Sequence, residues 1–242
     1  MNLVIDLGNT YHKIAVVADG KIVKLLRQES VAPSDLDRLL GQYPLKKAII
    51  SSVVAEDHHL FLWLKTHLPF IEMSAGLKLP FTLDYENAAT LGTDRIAASV
   101  GGRTHFPTGN LLVIQAGSCI TFDFIDENNF YRGGSISPGI LMRLKALHQF
   151  TGKLPDIPYE SIHDFIGNST QKSILSGVTC GIASEIDGMI GRYREKYENL
   201  TVILTGGAIK YFDKWLKNSN FANSNLVIEG LNTILNINDK TT

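Results

Sequence analysis

The sequence predicts an α/β protein assembled from two similar half-domains, and three observations carry that expectation. The first is Leu3-Val4-Ile5-Asp6, a short apolar run that ends in a carboxylate, breaks at Gly8, Asn9 and Thr10, and resumes as Ile14-Ala15-Val16-Val17. Apolar, β-branched residues on either side of a glycine turn read as the two strands of a hairpin. The second is the return of this device in mid-chain, where Leu111-Leu112-Val113-Ile114 breaks at Ala116-Gly117-Ser118 and continues as Ile120 to Ile125. The third is a further glycine turn, Thr205-Gly206-Gly207-Ala208, behind the strand Thr201-Val202-Ile203. A repeated strand–turn–strand unit implies duplication. The halves are expected to span 1–108 and 109–242, joined at the polar loop Phe106-Pro107-Thr108-Gly109-Asn110, with a cleft between them.

Composition narrows the classes. A chain of 242 residues with 44% hydrophobic content can bury a substantial core. A net charge of -1 gives no electrostatic reason to expect nucleic acid or an anionic membrane as partner. No basic segment precedes an apolar run at the N-terminus, and no apolar stretch approaches the roughly 18 residues of a membrane span. Cys119 and Cys180 lie in apolar settings without CxxC spacing and read as buried thiols of a reducing compartment. A cytoplasmic protein is expected.

In order along the chain, Ser34 is placed to cap a helix beginning at Asp35. Ala48 to Val54 reads as a buried strand, Glu56 to Leu68 as a helix, and Phe70 to Met73 as a short strand. His58 and His59 are adjacent, so on a helix they point to different faces and make a poor metal pair. An Ala-rich helix starts near Gly92 or Thr93. The Ser137-Pro138-Gly139 turn leads into a helix ending near Phe150, with Leu141, Leu144 and Leu147 on one stripe. Thr170 to Tyr197 is a long helical pattern whose small residues, Ser176, Gly177, Gly181 and Ala183, suit either a dimer face or close packing within the chain. Tyr211 to Leu216 suggests a short helix, Leu226-Val227-Ile228 a strand, and Asp239 to Thr242 a loose tail.

Two kinds of position carry chemistry. The hairpin tips offer backbone N–H groups and hydroxyls without bulky side chains between them, an arrangement that cradles phosphate; the same residues also suit an ordinary tight turn. Asp94 and Arg95, in the first turn of a helix, can act as base and anion clamp. They can equally be a carboxylate favoured by the helix dipole beside an exposed arginine. Gly206 and Gly207 could form a shelf against a base or ribose.

The combination is more specific than its parts. DLGNT at 6–10, LGTDR at 91–95, AGSCITFD at 116–123, GGSISPG at 133–139 and TGGA at 205–208 together resemble the type III pantothenate kinases. The likeness runs through essentially the whole chain in the right order. LGTDR and GGSISPG belong to that family, whereas the DLGNT and TGGA turns are shared with the wider actin-like ATPase and sugar-kinase superfamily. The resemblance implies two ribonuclease-H-like domains with ATP in the cleft, a homodimer, and ATP-dependent phosphorylation of the terminal hydroxyl of pantothenate, the first step of coenzyme A synthesis.

Carried over residue by residue, the resemblance makes Asp6, Leu7, Gly8, Asn9, Thr10, Tyr11, His12 and Lys13 the first phosphate loop, with Asp6 near Mg²⁺ and held to it largely through water. Gly117 and Ser118 become the second phosphate loop, Ser118 standing where the family has threonine, and Gly206 and Gly207 complete the nucleotide contacts. Gly92, Thr93, Asp94 and Arg95 match the pantothenate motif, with Asp94 as the base; Tyr85 and Thr170 match further substrate contacts. Two positions depart from the family. Ala88 replaces a proline of the substrate loop, which removes rigidity. Gln115 replaces the aspartate that ligates a monovalent cation (K⁺ or NH₄⁺), so a weaker cation dependence is expected. That departure also motivates an alternative, a weakly active or inactive relative that binds nucleotide or pantothenate as a regulator. Another actin-like phosphotransferase is a third reading, against which LGTDR and the short length weigh.

Overall fold

The computed structural model describes residues 1–53, 58–218 and 221–239. The chain divides into two compact units: Met1–Pro107 with Asn129–Tyr131 and Asn225–Thr242, and Thr108–Asn128 with Arg132–Ser224.

Unit 1 is built on five strands, β1 (Asn2–Leu7), β2 (His12–Ala18), β3 (Lys21–Gln28), β4 (Lys47–Ser52) and β5 (Phe70–Glu72), in the order β3-β2-β1-β4-β5. The β1–β2 and β2–β3 pairs are antiparallel, while β1–β4 and β4–β5 are parallel. Alternation along each strand sorts the side chains onto two faces. Leu3, Ile5, Leu7, Ile14, Val16, Ala48 and Ile50 face α1 (Pro33–Gln42) and α2 (His58–His67), where Leu36, Leu39, Leu60, Trp63 and Leu64 complete one core. The opposite face, with Val4 and Ile49, is covered by α3 (Thr93–His105) and α6 (Leu226–Ile237). These two helices cross closely because Gly230 carries no side chain: a Cβ there would lie 1.8 Å from the Ala97 carbonyl oxygen.

Unit 2 repeats the topology. Its strands are β7 (Leu111–Ala116), β8 (Cys119–Ile125), β9 (Phe130–Pro138), β10 (Thr201–Thr205) and β11 (Phe221–Ala222), in the order β11-β10-β7-β8-β9. Read from the meander edge, β9-β8-β7-β10-β11 matches β3-β2-β1-β4-β5, with the same antiparallel central hairpin and parallel flank. The first residues of β9, Phe130 and Tyr131, also pair in parallel with Thr82 and Leu83 of β6 (Thr82–Leu83) within unit 1. Leu112, Ile114, Phe122, Phe124, Val202 and Leu204 form one core with α4 (Ile140–Gln149) and α5 (Thr170–Lys196). The duplication expected from the two hairpins is thus present in the strand order.

Several readings of the sequence need correction. Leu226-Val227-Ile228 is not a strand but the first turn of α6, which is apolar on most sides and buried. A short β-branched run has no periodicity of its own, and only its continuation through Leu231, Ile234 and Leu235 marks a helix. Asn225–Thr242, expected in the second half, belongs to unit 1, because α6 packs on α3, β1 and β4. Helix α1 starts at Pro33, so Ser34 lies inside it; Asp35 accepts from the Ala32 backbone N–H at 3.1 Å. Tyr211 to Leu216 falls on two 3₁₀ turns, Ile209–Tyr211 and Asp213–Trp215. Leu141 leaves its stripe and is 54% exposed. The cysteines are free and only partly buried. Val54, Glu56, the His58 side chain and residues 240–242 lie outside the described residues.

Candidate active site

In unit 1 the site begins with a row of three residues. Asp6 on β1 stands opposite Lys13 on β2 and beside Ser51 on β4. The alternation that sends Leu7 and Ile50 to the α1–α2 core turns this row to the face covered by α3. There the Ser51 hydroxyl donates to the Thr93 hydroxyl at 3.0 Å, tying the first residue of α3 to the row. Asp94 follows in the first turn, where the helix dipole favours a carboxylate. It lies close enough to Asp6 for the two charges to interact.

Electrostatics make this row unusual. Asp6 is 8% exposed, and burial pushes its carboxyl up to about 6, against a lowering by Lys13 and with a further rise from Asp94. Burial also lowers Lys13, which Asp6 partly offsets and Arg27 reinforces. The tip of the loop is the opposite. Asn9, Thr10 and Tyr11 are exposed, and the Tyr11 ring carries the Arg27 guanidinium 4.0 Å from its centroid. Arg95 is 5% exposed, which sets aside the reading of it as a surface arginine beside the helix start. Tyr85 is half-buried, its ring 6.1 Å from that of Tyr131.

Unit 2 carries the equivalent row in neutral form. Gln115 stands opposite Thr121 on β8 and beside Thr205 on β10. Thr121 donates to the fully buried Asp123 at 3.0 Å. The turn after Gln115 is held from two sides. Gly206, at φ +105°, lies against Ala116, where a Cβ would come within 2.1 Å of the carbonyl oxygen, and Ala208 N–H donates to that oxygen at 3.1 Å. Gly139 lies against the other side; its N–H donates to the Ser118 carbonyl at 3.0 Å, and a Cβ would sit 2.4 Å from the Gly117 carbonyl oxygen. Gly117, Ser118, Gly206 and Gln115 are therefore brought together. Gly207 is exposed beside them.

Thr170 stands elsewhere in unit 2. It opens α5 and lines a groove of about 1010 Å³ with Arg143, Phe150, Gly167 and Gly177. The small residues of α5 divide accordingly: Gly177 lines the groove, whereas Ala183 is core and Ser176 is buried with its hydroxyl donated to the Phe165 carbonyl.

Sequence reasoning missed Ser51, Thr121, Thr205 and Asp123 as companions of the two turns. The signal for three of them was available in register: strand pairing sets Ser51 beside Asp6, and Thr121 and Thr205 beside Gln115, while Asp123 follows two residues after Thr121 on β8. Among the described residues no group of three or more His, Cys, Asp or Glu is placed to hold a metal by itself. No helix among them is long and apolar enough to cross a membrane.

Comparison with known proteins bears on this geometry. The model of the family described as type III pantothenate kinase matches residues 2–192. A type III pantothenate kinase of Bacteroides fragilis is 41% identical over 240 residues, covering 99% of each chain. Among solved structures, a protein of Campylobacter jejuni described as of the Baf family of transcriptional activators superposes with a TM-score of 0.61 at 24% identity, covering 98% of both chains. A ROK family glucokinase of Streptomyces griseus, solved with glucose and AMPPNP, gives 0.53 at 12% identity, covering 98% and 99%. At such identities the structural likeness concerns the fold, which is the two-domain α/β architecture of the actin-like ATPases and sugar kinases. With a duplicated sheet, a carboxylate row under the start of α3 and near-complete coverage by relatives of one kind, the chain belongs to the type III pantothenate kinase family.

Proposed function

We propose that the chain transfers the γ-phosphoryl group of ATP to the terminal hydroxyl of pantothenate, giving 4'-phosphopantothenate at the entry to coenzyme A synthesis. The observation that carries this reading beyond family membership is the row Asp6–Lys13–Ser51 beneath the first turn of α3, which sets Asp94 within electrostatic reach of Asp6.

Phosphoryl transfer passes through a loose transition state whose charge spreads over the outer oxygens, so positioning and charge stabilisation dominate. Asp94 takes the hydroxyl proton of pantothenate, or orients that hydroxyl, from the start of α3. Gly92, Thr93, Arg95 and Tyr85 contact the substrate, as does Thr170. Residues 6–13 and the turns Gly117–Ser118 and Gly206–Gly207 bind the nucleotide, mainly through backbone N–H groups.

The donor set suits Mg²⁺. A single buried carboxylate whose pKa has risen to about 6 gains from a nearby cation, and a metal that keeps most of its waters needs no protein cage. When bound, the ion neutralises phosphate charge. A monovalent cation is less well provided for: Gln115 offers an amide oxygen without charge, and the carboxylate of Asp123 already accepts from Thr121. Dependence on K⁺ or NH₄⁺ is therefore weak. The groove around Thr170 is largely apolar and borders exposed Phe150, and apolar surface of this kind marks an interaction face, which supports a homodimer. The protein works in the cytoplasm, with pantothenate and ATP as its ligands and neither nucleic acid nor membrane as a partner.

The test is a coupled assay of ADP formation by purified protein. Formation strictly dependent on pantothenate is the expected result. ADP binding without turnover on pantothenate would instead support the regulatory reading, and turnover on a sugar would place the activity elsewhere in the superfamily.

A further inference from the structure

The second phosphate turn, Gly117–Ser118, has no charged residue of its own, yet a charged network stands behind it. Glu185, in the middle of α5, accepts from the Ser137 hydroxyl on one carboxylate oxygen and from Arg143 Nη2 on the other. Arg143 in turn donates from Nε to the Pro138 carbonyl at 2.7 Å, and its Nη2 lies 3.5 Å from the Ser137 hydroxyl. One carboxylate thereby fixes the Ser137 hydroxyl directly and, through the Arg143 guanidinium on α4, the Pro138 carbonyl, both in the segment that ends at Gly139. The pair is partly shielded, with side-chain exposures of 23% for Arg143 and 27% for Glu185.

What this segment touches gives the network its meaning. Gly139 follows Pro138 directly, donates its N–H to the Ser118 carbonyl and lies so close to the turn that no Cβ fits. Its backbone is extended, at φ -75° and ψ -179°, so the need for glycine here is one of approach and not of conformation. Below the same turn Cys119 Sγ meets Met142 Sδ, from the first turn of α4, at 3.8 Å. A shift of the 137–139 segment would therefore be felt at the Gly117–Ser118 backbone, which is drawn tight by the Gly117 N–H donating to the Cys119 carbonyl at 2.8 Å.

We propose that Glu185 is a positioning residue for nucleotide binding: through Ser137 and Arg143 it holds the Gly139 segment against the Gly117–Ser118 turn, and so fixes where that turn meets the phosphates of ATP. Helix α5 thereby gains a function in its middle, apart from Thr170 at its start; because Arg143 also lines the Thr170 groove, the Glu185 variants and not Arg143→Ala decide between the two substrates. The inference rests on the reading of Gly117–Ser118 as a nucleotide contact, and it requires no contact between Glu185 and either substrate.

The experiment compares wild type with Glu185→Ala, Glu185→Gln and Arg143→Ala by equilibrium binding of Mg·ADP in the absence of pantothenate, by KM for each substrate, and by Tm. Losing a charge-assisted hydrogen-bond hub is expected to weaken Mg·ADP binding and raise KM for ATP about tenfold in Glu185→Ala, with KM for pantothenate changed less than about twofold. Glu185→Gln, which keeps the shape and one acceptor, should recover part of that loss. The double variant Glu185→Ala/Arg143→Ala should bind Mg·ADP no worse than the weaker single variant, because both act through one contact. Unchanged Mg·ADP binding in a folded Glu185→Ala protein, or a rise in KM confined to pantothenate, would overturn the proposal. If wild type binds Mg·ADP and the variants lose it while pantothenate is not phosphorylated, the positioning role stands and the substrate assignment fails instead.

Discussion

The two units place polar residues at the same three points of two sheets with the same strand order, and they fill them differently. In unit 1 the row is Asp6, Lys13 and Ser51; in unit 2 the corresponding strand positions hold Gln115, Thr121 and Thr205. The charged row sits beneath a loop whose tip is exposed, and the neutral row sits beneath a turn packed on both sides by glycine backbone. Duplication gives both units the same three-point scaffold, and divergence leaves one row charged and the other neutral beneath a turn fixed by its neighbours. The proposed base, Asp94, stands outside both rows in the first turn of α3, and Asp6 is the one carboxylate that either row contains.

The sharpest way to break this division is at Asp94. Asp94→Asn keeps the shape of the helix start, so Tm should hold, while turnover should fall by about a hundredfold or more with loss of a positioned base. Turnover and thermal melting on the same preparation check both halves of the statement. The neutral unit should instead break through its backbone. Gly206→Ala places a side chain at φ +105° and against the Ala116 carbonyl, and strain of that kind costs about 1–3 kcal/mol. The expected outcome is a nucleotide affinity lowered about tenfold with pantothenate binding little changed, read by calorimetry with Mg·ADP.

Asp6→Asn tests the charged row through stability. Because the folded Asp6 carboxyl titrates near 6 and the unfolded one near 3.8, ionisation opposes folding. The penalty is absent below pH 3.8, grows as pH rises to about 6 and is constant above, reaching about 3 kcal/mol. Asp6→Asn should therefore melt higher than wild type at pH 8, with the difference vanishing in acid, even as its handling of Mg·ATP declines. An Asp6→Asn protein that melts lower at pH 8 would show that Lys13 outweighs burial. The smallest effect is expected at Gln115. Wild type should respond only weakly to K⁺, and Gln115→Asp should add a several-fold, saturable dependence, because an uncompensated carboxylate repels the triphosphate. Titrating KCl against a bulky organic cation at constant ionic strength separates binding from screening.

What could be read in the sequence followed from local pattern. Leu3–Asp6 and Leu111–Ile114 announced their strands, and the glycine turns after them announced the repeat, because period and turn chemistry are properties of a few adjacent residues. Gly92 as the residue before α3 was legible for the same reason. Burial of Arg95 was not, since nothing in LGTDR says which neighbours will enclose it. Leu226–Ile228 misled because a buried helix and a buried strand share an apolar, β-branched composition over three residues. Glu185 was invisible: its partners lie 42 and 48 positions away, and only packing brings them together.

The position of α6 has a consequence for how the molecule is made. Asn2 on β1 donates to Asn232 at 2.8 Å and to Asn236 at 3.0 Å, so the first strand is tied to a helix that leaves the ribosome more than two hundred residues later. All of unit 2 is synthesised before the helix that covers α3. The order of synthesis is thus the reverse of the order of completion: unit 2, residues 108–128 and 132–224, can close on itself first, and the apolar face of Val4, Ile49 and Ala97 must wait. Hydrogen exchange on chains arrested at residue 224 should find protected amides in β7, β8 and β10 and open ones in α3. On the proposed function, a nascent chain would then carry the Gly117–Ser118 and Gly206–Gly207 turns before α6 encloses the helix that bears Asp94, which leaves phosphoryl transfer as the last property the protein acquires.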